Sequence, residues 1–295
     1  MANTNFKERI CLITGANSGL GKAAAIDLAK LGMQIVMVCR NKAKGEKALA
    51  EIKERSRNDS IELLLADLSI LSQVRKLADE FRARHEKLHV LINNAGLANL
   101  TRRVTADGFE ETFEINYLAP FLLTNLLIGV LNSSAPSRVI NVSSVAHYSG
   151  HIEFSDLQSE RNYGWLKAYG QSKLALVLFT RELARILKGS GVTAYSLHPG
   201  AVATNIWTRS AGPAGFVMTL PKLFMLSPRK GAETIVYLAS AEGVEKYTGE
   251  YFEKKQVKKS SEESYDEEIT RRLWSVSETL TSLKPQELFA NEPVS

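Results

Sequence analysis

The clearest chemistry in the sequence is carried by a tyrosine and a lysine four residues apart, Tyr169 and Lys173. At that spacing the two side chains share one face of a helix. A phenol has an ordinary pKa of about 10 and is a poor base at neutral pH, but a neighbouring ammonium group favours its ionised form and lowers the pKa. The pair therefore predicts a general acid–base that gives or takes a proton at a substrate oxygen. The alternative is an ordinary tyrosine of an amphipathic helix.

A glycine-rich turn near the N-terminus predicts a nucleotide-binding site. It joins an apolar strand to the helical pattern Gly21–Leu31 and reads Thr14, Gly15, Ala16, Asn17, Ser18, Gly19, Leu20, Gly21. In such a unit the first glycine permits a tight exit from the strand, the second lets the backbone approach a pyrophosphate, and the third allows close packing of helix on sheet. The helix N-terminus then offers N–H groups to phosphates. A glycine turn without a ligand is the alternative.

Two side chains at the ends of the next strands indicate which nucleotide would bind. Arg40 follows the second strand, where an acidic residue would read the 2′-hydroxyl of NAD, and its guanidinium suits the 2′-phosphate of NADP. Asp67 follows the third strand, where its carboxylate can accept a hydrogen bond from an adenine amino group. The alternatives are a solvent-facing Arg40 and an Asp67 that caps the helix beginning near Ile70.

The remaining motifs follow one another along the chain and carry a family resemblance. They are Asn93-Asn94-Ala95-Gly96, Asn116, Asn141-Val142-Ser143-Ser144 and Pro199-Gly200. With the glycine turn and the Tyr-x-x-x-Lys pair, in this order from Thr14 to Thr204, they resemble the classical short-chain dehydrogenase/reductase family. The resemblance implies a doubly wound α/β fold, a nicotinamide cofactor, and hydride transfer between a carbonyl compound and its alcohol.

The family pattern implies a role for each matching residue. Ser144, rather than Ser143, donates a hydrogen bond to the substrate oxygen that Tyr169 protonates, although either serine would also cap the turn after its strand. Lys173 holds the cofactor ribose, the oxidised nicotinamide favours the phenolate, and Asn116 binds a water that relays protons to Lys173. The implied cofactor contacts are Thr14, Gly15, Asn17, Ser18, Gly19, Leu20, Gly21, Arg40, Asp67, Leu68, Asn94, Ala95, Gly96, Tyr169, Lys173, Pro199, Gly200 and Thr204.

The long segment between Ser144 and Tyr169 narrows the resemblance. Together with the helix that contains Lys173, it is similar to the retinol dehydrogenase subgroup. That likeness implies an NADP(H)-dependent oxidoreductase for an apolar aldehyde or ketone, such as retinal or a lipid aldehyde. The alternatives are a steroid or xenobiotic carbonyl reductase of the same family and a non-catalytic NADP-binding scaffold. Loss of the serine, the tyrosine or the lysine would mark the scaffold, and all three are present.

A late insertion at about residues 203–228 is predicted to cover the substrate. Pro199-Gly200 leads to Thr204, which is expected to contact the nicotinamide carboxamide, and glycine and proline residues flank the apolar run Phe216–Leu226. Such boundaries suit a mobile lid, and the methionine and phenylalanine content suits a bulky apolar substrate. The alternatives are a helix that covers the core and a patch that rests on a membrane or a partner subunit.

These residues need a scaffold that positions them, and apolar periodicity predicts a parallel sheet. Because the predicted strands are apolar almost throughout, both faces of the sheet should be covered, as in a doubly wound α/β sheet of the Rossmann type. One domain accounts for residues 1–255, and residues 256–295 form a charged surface extension with a short helix around Arg271–Leu283. The strands are predicted at Ile10–Thr14, Gln34–Cys39, Ile61–Leu65, Val90–Ile92, Arg138–Val142 and Val192–Leu197, with a weaker one near Tyr251.

Composition argues against several other functions. The chain has 295 residues and a net charge of +5, and the basic and acidic residues of the C-terminal extension offset one another. This balance gives no concentrated basic patch, so nucleic acid is not an expected partner. The longest apolar run, Phe121–Leu131, is too short to cross a bilayer. His147 and His151 lack a third ligand nearby, so no metal is expected.

Location and assembly are predicted from the same sequence. Cys11 and Cys39 lie in apolar strands and are expected to be buried thiols, which is typical of a reducing compartment. Residues 1–9 are polar and show no secretory signal or anchor, so we expect a cytoplasmic protein, with peripheral membrane contact left open. The family resemblance implies a homo-oligomer, a dimer or a tetramer, formed through the long helices that include the Tyr169 helix.

Overall fold

The computed structural model describes residues 6–200 and 226–284, in which eight strands form one sheet. The order across the sheet is β3-β2-β1-β4-β5-β6-β7-β8; the first seven strands in sequence are parallel, and β8 runs antiparallel to β7. The predicted doubly wound α/β fold is therefore confirmed. The strands are β1 Ile10–Thr14, β2 Gln34–Cys39, β3 Ile61–Leu65, β4 Val90–Asn93, β5 Ser137–Val142, β6 Val192–His198, β7 Tyr251–Glu253 and β8 Gln256–Lys258.

Helices cover both faces of this sheet. A π-helical turn, Glu114–Leu118, joins α4 to α5, and a 3₁₀ turn, Val145–Ser149, follows β5. The helices are α1 Gly19–Lys30, α2 Lys42–Ser56, α3 Leu71–Arg84, α4 Glu111–Phe113, α5 Ala119–Leu126, α6 Ile128–Ser133, α7 Trp165–Ile186, α8 Pro228–Ser240 and α9 Glu267–Thr281. The first, second and eighth pack on one face of the sheet, and the third, fifth, seventh and ninth pack on the other.

The strand predictions agree with the structure almost residue by residue. β1, β2 and β3 have the predicted bounds, and β4, β5 and β6 each differ by one residue. β8 was not predicted, because Gln256, Val257 and Lys258 are exposed and show no apolar pattern. It forms instead by pairing with β7 across a tight turn, where Lys254 and Lys255 adopt positive φ values of 51° and 65°.

The C-terminal extension packs into the domain, which corrects the expectation of a surface extension from residue 256 onward. Its first residues pair with β7, so the predicted boundary at residue 255 falls inside a hairpin. α9 begins at Glu267, before the predicted position, because the Asp266 side chain accepts hydrogen bonds from two N–H groups of its first turn. The Leu273 side chain is fully buried, and the Trp274 ring lies 5.0 Å from the ring of Phe121.

The carboxyl ends of four parallel strands, β1, β4, β5 and β6, lie at one edge of the sheet and define where a site can form. Two buried side-chain hydrogen bonds fix this edge: Asn93 donates to Asn141 at 2.8 Å, and Asn141 donates to Thr180 of α7 at 2.9 Å. Cys11 and Cys39 are buried and unpaired, as predicted. Within residues 6–200 and 226–284, no helix combines the length and the apolar character that a bilayer-spanning segment requires.

Candidate active site

Ser144, Tyr169 and Lys173 meet at the carboxyl end of β5. Ser144 lies two residues beyond that strand, and the other two lie on consecutive turns of α7. The Ser144 hydroxyl hydrogen-bonds with the Tyr169 hydroxyl, and the Lys173 Nζ lies 5.6 Å from the centroid of the Tyr169 ring. Tyr169 and Lys173 are only 7% and 4% exposed. The structure therefore brings three of the four predicted catalytic residues into one partly enclosed group.

The two adjacent serines at the end of β5 have different surroundings. Ser143 is buried, and its hydroxyl donates to the backbone carbonyl of Lys173 at 2.8 Å, which fastens β5 to α7. Ser144 is half-buried, contacts Tyr169, and also accepts from the backbone N–H of Ala146 at 3.2 Å. The turn-capping alternative for Ser144 and its contact with the phenol thus hold together, and Ser143 does not reach the tyrosine's side of the site.

Burial determines the proton affinities of the tyrosine and the lysine. It raises the pKa of Tyr169, and the hydrogen bond from Ser144 offsets part of that rise. It lowers the pKa of Lys173 to about 7. The sequence predicted a lowered pKa for Tyr169, whereas burial in the structure raises it. Removal from water disfavours the charged form of each group, the phenolate as well as the ammonium. Tyr169 consequently keeps its proton at neutral pH.

Lys173 is held in place by a close backbone approach. Its Nζ donates to the carbonyl oxygen of Val142, the last residue of β5, at 2.9 Å. On the other side lies Gly96, where a Cβ would stand 3.3 Å from the Lys173 Nζ and 3.1 Å from the Asn116 Oδ1. Any larger residue at position 96 would crowd the ammonium group. Gly96 is therefore suited to this position because it leaves room for the Lys173 ammonium group and the Asn116 amide.

The fourth predicted catalytic residue, Asn116, uses its side-chain amide to hold two segments together. Its Oδ1 accepts from the backbone N–H of Leu97 at 2.8 Å, and its Nδ2 donates to the Leu97 carbonyl at 2.9 Å and to the Ser172 hydroxyl at 3.0 Å. The amide is completely buried. It lies in the π-helical turn, whose wider i to i−5 bonding is a frequent feature of functional sites. Asn116 therefore ties the loop after β4 to α7, next to Lys173.

The glycine turn after β1 has the conformation that its sequence predicts. Gly15 and Gly19 have φ values of 68° and 54°, which favour glycine. A Cβ on Gly21 would lie 2.5 Å from the Asn94 Nδ2 and 2.6 Å from the Gly15 carbonyl oxygen. Since one of these neighbours is backbone, no side chain fits there without displacing the turn. The third glycine is thus needed for the helix to approach the end of the strand.

Thr14 and Asn94 connect the ends of β1 and β4, because the side chain of each hydrogen-bonds to the backbone of the other. The Thr14 hydroxyl accepts from the backbone N–H groups of Asn94 and Ala95, both at 3.0 Å. The Asn94 side chain donates back to the Thr14 carbonyl at 2.8 Å. These contacts hold the glycine turn against the loop that leads to Gly96. The side chains of Thr14 and Asn94 are therefore engaged with backbone.

The start of α1 is shaped to receive an anion. Ser18 precedes the helix with a φ of −159°, makes no side-chain capping hydrogen bond and is exposed. The first N–H groups of a helix carry partial positive charge and lack partners within the helix. Asn17 is half-buried beside them, and Leu20 is 7% exposed and packs into the core below. This cradle, which carries glycine at Gly15 and Gly19, suits the pyrophosphate of a dinucleotide.

Arg40 and Asp67 stand together at the ends of β2 and β3. The Arg40 Nη1 lies 3.8 Å from the Asp67 Oδ2, and half of the arginine side chain is exposed. The other carboxylate oxygen of Asp67 accepts from the backbone N–H and the hydroxyl of Ser69. The alternative in which Asp67 caps α3 does not apply: the first residue of that helix, Leu71, donates to the Asp107 carboxylate at 2.6 Å.

Four further cofactor contacts were predicted: Leu68, Pro199, Gly200 and Thr204. The Leu68 side chain is buried in the core. Pro199 and Gly200 follow β6 directly, and Gly200 has a φ of 89°. Thr204 lies outside the described residues, as do residues 203–225 of the predicted lid. At the end of the lid segment, Ser227 caps α8 by accepting from the backbone N–H of Lys230.

Two glycines that sequence reasoning did not assign to the site bring the serine loop onto α7. A Cβ on Gly150 would collide with the carbonyl oxygen of Gly170, the residue after Tyr169. A Cβ on Gly170 would lie 3.0 Å from the carbonyl oxygen of Ala146. Backbone therefore packs on backbone here. The available signal was a lone glycine inside a helical pattern, directly after the tyrosine.

His147 and His151 each have partners other than a metal. The His147 Nδ1 lies 2.7 Å from the Ser144 carbonyl oxygen, and the His151 Nδ1 lies 2.7 Å from the Glu263 carboxylate. Across residues 6–200 and 226–284, no cluster of three histidine, cysteine, aspartate or glutamate side chains is suited to hold a metal ion.

The sequence matches the family model of the short chain dehydrogenases over residues 9–211. It is 42% identical to retinol dehydrogenase 11 of Mus musculus over 282 residues, which cover 96% of this chain and 89% of that protein. It is 43% identical to retinol dehydrogenase 13 of Homo sapiens over 279 residues, which cover 92% of this chain and 84% of that one.

Solved structures share the fold. A crystal structure of an uncharacterized protein from Mycobacterium paratuberculosis has a TM-score of 0.77 and 34% identity, and the match covers 94% of this chain and 95% of that one. The complex of RhlG from Pseudomonas aeruginosa with NADP has a TM-score of 0.67 at 24% identity, covering 84% and 96%, which supports the fold. With the model match, the close relatives and the Ser144, Tyr169 and Lys173 geometry in agreement, this chain belongs to the short-chain dehydrogenase family of oxidoreductases.

Proposed function

We propose that the protein is an NADP(H)-dependent oxidoreductase that interconverts an apolar aldehyde or ketone and its alcohol, with Tyr169 as the general acid–base. The observation that carries this proposal is the hydrogen bond between the Ser144 and Tyr169 hydroxyls, beside the buried Lys173. Two hydroxyl groups that converge at the open edge of the sheet can both reach one substrate oxygen. That arrangement suits carbonyl–alcohol chemistry.

The residues around the glycine turn fit the required cofactor. Gly15, Gly19 and Gly21 leave backbone where side chains would block a pyrophosphate, and the start of α1 offers N–H groups. Lys173 would hold the ribose hydroxyls of the nicotinamide half. When bound, the cofactor supplies or accepts a hydride, which is the step that no amino-acid side chain can perform.

Tyr169 and Ser144 would manage the charge that hydride transfer creates on the substrate oxygen. In reduction, Tyr169 donates its proton to that oxygen, and Ser144 donates a hydrogen bond to it as negative charge builds. The raised pKa of Tyr169 keeps the proton available at neutral pH. Lys173, when protonated, stabilises the phenolate that remains. In oxidation the same groups act in reverse, and the phenolate takes the alcohol proton.

The proposed preference for NADP(H) rests on Arg40. Its half-exposed guanidinium at the end of β2 can pair with a 2′-phosphate, and no acidic residue stands there to bind a 2′-hydroxyl. The Asp67 carboxylate lies 3.8 Å from this guanidinium. We expect Arg40→Asp to weaken NADPH binding about 10- to 100-fold and to leave NADH binding nearly unchanged, measured by fluorescence titration. Equal losses for the two cofactors would contradict the assignment.

The proposed substrate class follows from the relatives that bear the name retinol dehydrogenase. A retinal/retinol-like pair is the leading candidate, a lipid aldehyde is next, and a steroid or xenobiotic carbonyl compound is the alternative. The apolar lid predicted at about residues 203–228 would favour all of these over polar carbonyl compounds. Competition among all-trans-retinal, a medium-chain aldehyde and a steroid ketone for the same enzyme would rank them by kcat/KM.

The central test compares wild type with Tyr169→Phe on that panel, following NADPH oxidation. Loss of the phenolic proton should lower kcat about 10²- to 10⁴-fold while NADPH affinity is kept. Tyr237→Phe on α8 removes a hydroxyl from the opposite face of the sheet and serves as the matched control. Turnover that survives Tyr169→Phe would refute the mechanism. NADPH binding by the wild type without turnover of any carbonyl compound would favour the scaffold alternative.

Assembly is proposed with one restriction. Residues 168–180 of α7 are all buried within the single chain, since α9 packs against this helix through Leu273 and Trp274. We infer that residues 168–180 take no part in the contact of a homo-oligomer. Light scattering of wild type and of Trp274→Asp would test this, because uncovering α7 should induce self-association. Cytoplasmic localisation stays a prediction from the sequence.

A further inference from the structure

His147 occupies a position that the proposed chemistry has not yet used. It lies on the 3₁₀ turn three residues after Ser144, and its side chain is completely buried. Its ring is enclosed by two tyrosines, with centroid distances of 4.0 Å to Tyr148 and 4.5 Å to Tyr251. A buried imidazole needs hydrogen-bond partners, so the identity of those partners shows what the ring holds.

The two ring nitrogens bind two distant parts of the chain. The Nδ1 lies 2.7 Å from the carbonyl oxygen of Ser144, and the Nε2 lies 3.2 Å from the backbone nitrogen of Ser261. A backbone N–H can only donate, so the Nε2 must accept and carry no proton. The Nδ1 therefore bears the proton and donates to Ser144. Both contacts are satisfied only by the neutral Nδ1–H tautomer.

We propose that His147 is a positioning residue for Ser144, and that the C-terminal segment Lys259–Ser264 completes the active site by fixing the histidine. This inference rests on the proposed function. By holding the Ser144 carbonyl, the imidazole fixes the peptide plane after that residue, and with it the direction in which the hydroxyl leaves the backbone. The hydroxyl is thereby kept against Tyr169.

The segment Lys259–Ser264 binds the serine loop at further points. The Tyr148 hydroxyl donates to the carbonyl oxygen of Lys259 at 2.6 Å. The Glu263 carboxylate accepts from the backbone N–H of Ile152 at 2.8 Å and contacts the His151 ring at 2.7 Å. These partners lie more than 100 residues apart in sequence. The loop that carries Ser144 thus depends on the C-terminal segment for its shape.

The segment is itself fastened to α7. The Ser260 and Ser264 hydroxyls hydrogen-bond to each other at 2.6 Å, and the Arg181 guanidinium lies 3.2 Å from the Ser260 hydroxyl. The guanidinium also stacks on the Tyr265 ring, 3.9 Å from its centroid. Because α7 carries Tyr169, the C-terminal segment links the loop that carries Ser144 to the helix that carries Tyr169.

The test uses a matched pair at Ser261. Its φ of −57° is the value that proline prefers, so Ser261→Pro removes the N–H that the imidazole accepts, with little change of backbone shape. Ser261→Ala keeps the N–H and is the control. We expect the proline variant to lower kcat for the best carbonyl substrate about 10-fold or more, and the alanine variant to leave it unchanged. NADPH affinity and carbonyl KM should change less than about twofold in both variants, because an oriented hydroxyl acts in the transition state.

Substitutions of the histidine separate its two contacts. An asparagine amide can replace the Nδ1–H donor to Ser144, and a glutamine amide can replace the Nε2 acceptor for Ser261. His147→Asn keeps only the donor to Ser144 and should lower kcat about as much as Ser261→Pro, about 10-fold, while His147→Gln loses that donor and should lose more, up to about 100-fold. A structural role alone would lower the melting temperature of both variants and leave kcat per folded molecule unchanged. That outcome, or equal kcat for Ser261→Pro and Ser261→Ala, would overturn the proposal.

A spectroscopic readout keeps this proposal separate from the proposed function. The ¹⁵N shifts of the His147 imidazole should show the Nδ1–H tautomer in wild type and a change of the Nε2 signal in Ser261→Pro. An Nε2–H tautomer in wild type would refute the positioning role whatever the activity. Conversely, a wild type that turns over no carbonyl compound contradicts the proposed function, and the NMR result then decides the geometry of His147 alone.

Discussion

The cofactor side and the substrate side of this site are built in different ways. On the cofactor side, contiguous residues of a single turn, Thr14 to Gly21, pack against the short loop after β4, and the fit is between backbone and glycine. On the substrate side, the loop after Ser144 receives its contacts from Lys259–Ser264, which lie at the other end of the chain.

The cofactor side is thus built mainly from residues close together in sequence, and the substrate side depends on residues far apart. A ligand common to a whole family can be met by one short motif whose glycines leave room for it. A substrate that varies among relatives is met by loops, and loops need distant partners to hold a defined shape. We therefore expect substitutions on the two sides to change different quantities. Cofactor affinity should respond on one side, and kcat or stability should respond on the other.

After Tyr169→Phe, the largest expected effect is that of Ser144→Ala. Removing a hydroxyl that stabilises developing charge should lower kcat about 10²- to 10³-fold. The neighbouring Ser143→Ala removes only a hydrogen bond to the Lys173 backbone, so its effect should be confined to stability, about 1–3 kcal/mol. Steady-state kinetics of both variants will check this. Similar kcat losses at the two serines would show that their different surroundings do not decide the chemistry.

The next effect tests whether α9 is part of the domain. Leu273 is fully buried against α7, so Leu273→Ala should lower the free energy of unfolding by about 2–3 kcal/mol, the lower part of the range for leucine in a core. Urea denaturation measures the loss. NADPH affinity should stay unchanged, since the glycine turn lies at β1. A loss below about 0.5 kcal/mol would mean that the C-terminal extension is dispensable for the fold.

A smaller effect is expected on the cofactor side. Gly21→Ala places a Cβ 2.6 Å from the Gly15 carbonyl oxygen, and the displaced turn should weaken NADPH binding by about 1–3 kcal/mol. Gly45→Ala on α2 is the control: its Cβ would meet the side chains of Cys39 and Leu63 at 2.7 and 2.8 Å, away from the turn. Isothermal titration should show a large loss of NADPH affinity only for Gly21→Ala. Equal NADPH affinities of the two variants would show that the glycine turn takes no part in cofactor binding.

The smallest expected effect is the change in the rate of alcohol oxidation for each unit of pH. Burial raises the pKa of Tyr169, so the phenolate that oxidation needs is scarce at neutral pH. Alcohol oxidation should therefore rise about tenfold per pH unit between pH 7 and the phenol pKa. Carbonyl reduction needs the protonated phenol and should not fall over the same range on account of Tyr169. Stopped-flow measurement in both directions will show this, and an oxidation rate that is flat with pH would contradict it.

The strands could be predicted because parallel strands buried on both faces are continuously apolar. The glycine turn could be predicted because its conformation depends on glycines within a few consecutive residues. β1, β2 and β3 therefore have their predicted bounds. β8 could not be predicted from its exposed residues, since its pairing with β7 creates it. The packing of α9 was missed because the charged residues before it suggested a surface segment. Its apolar stripe finds a partner only in the folded domain.

The sequence by itself determined the fold class, the family and the positions of Ser144, Tyr169 and Lys173, because each depends on residue type at fixed spacing. Only the tertiary structure decided which serine meets the tyrosine and which direction the proton affinities shift. It also decided that the His147 ring meets the backbone N–H of the segment that follows β8. Those outcomes depend on burial and on contacts between residues far apart in the chain, and no local pattern records either.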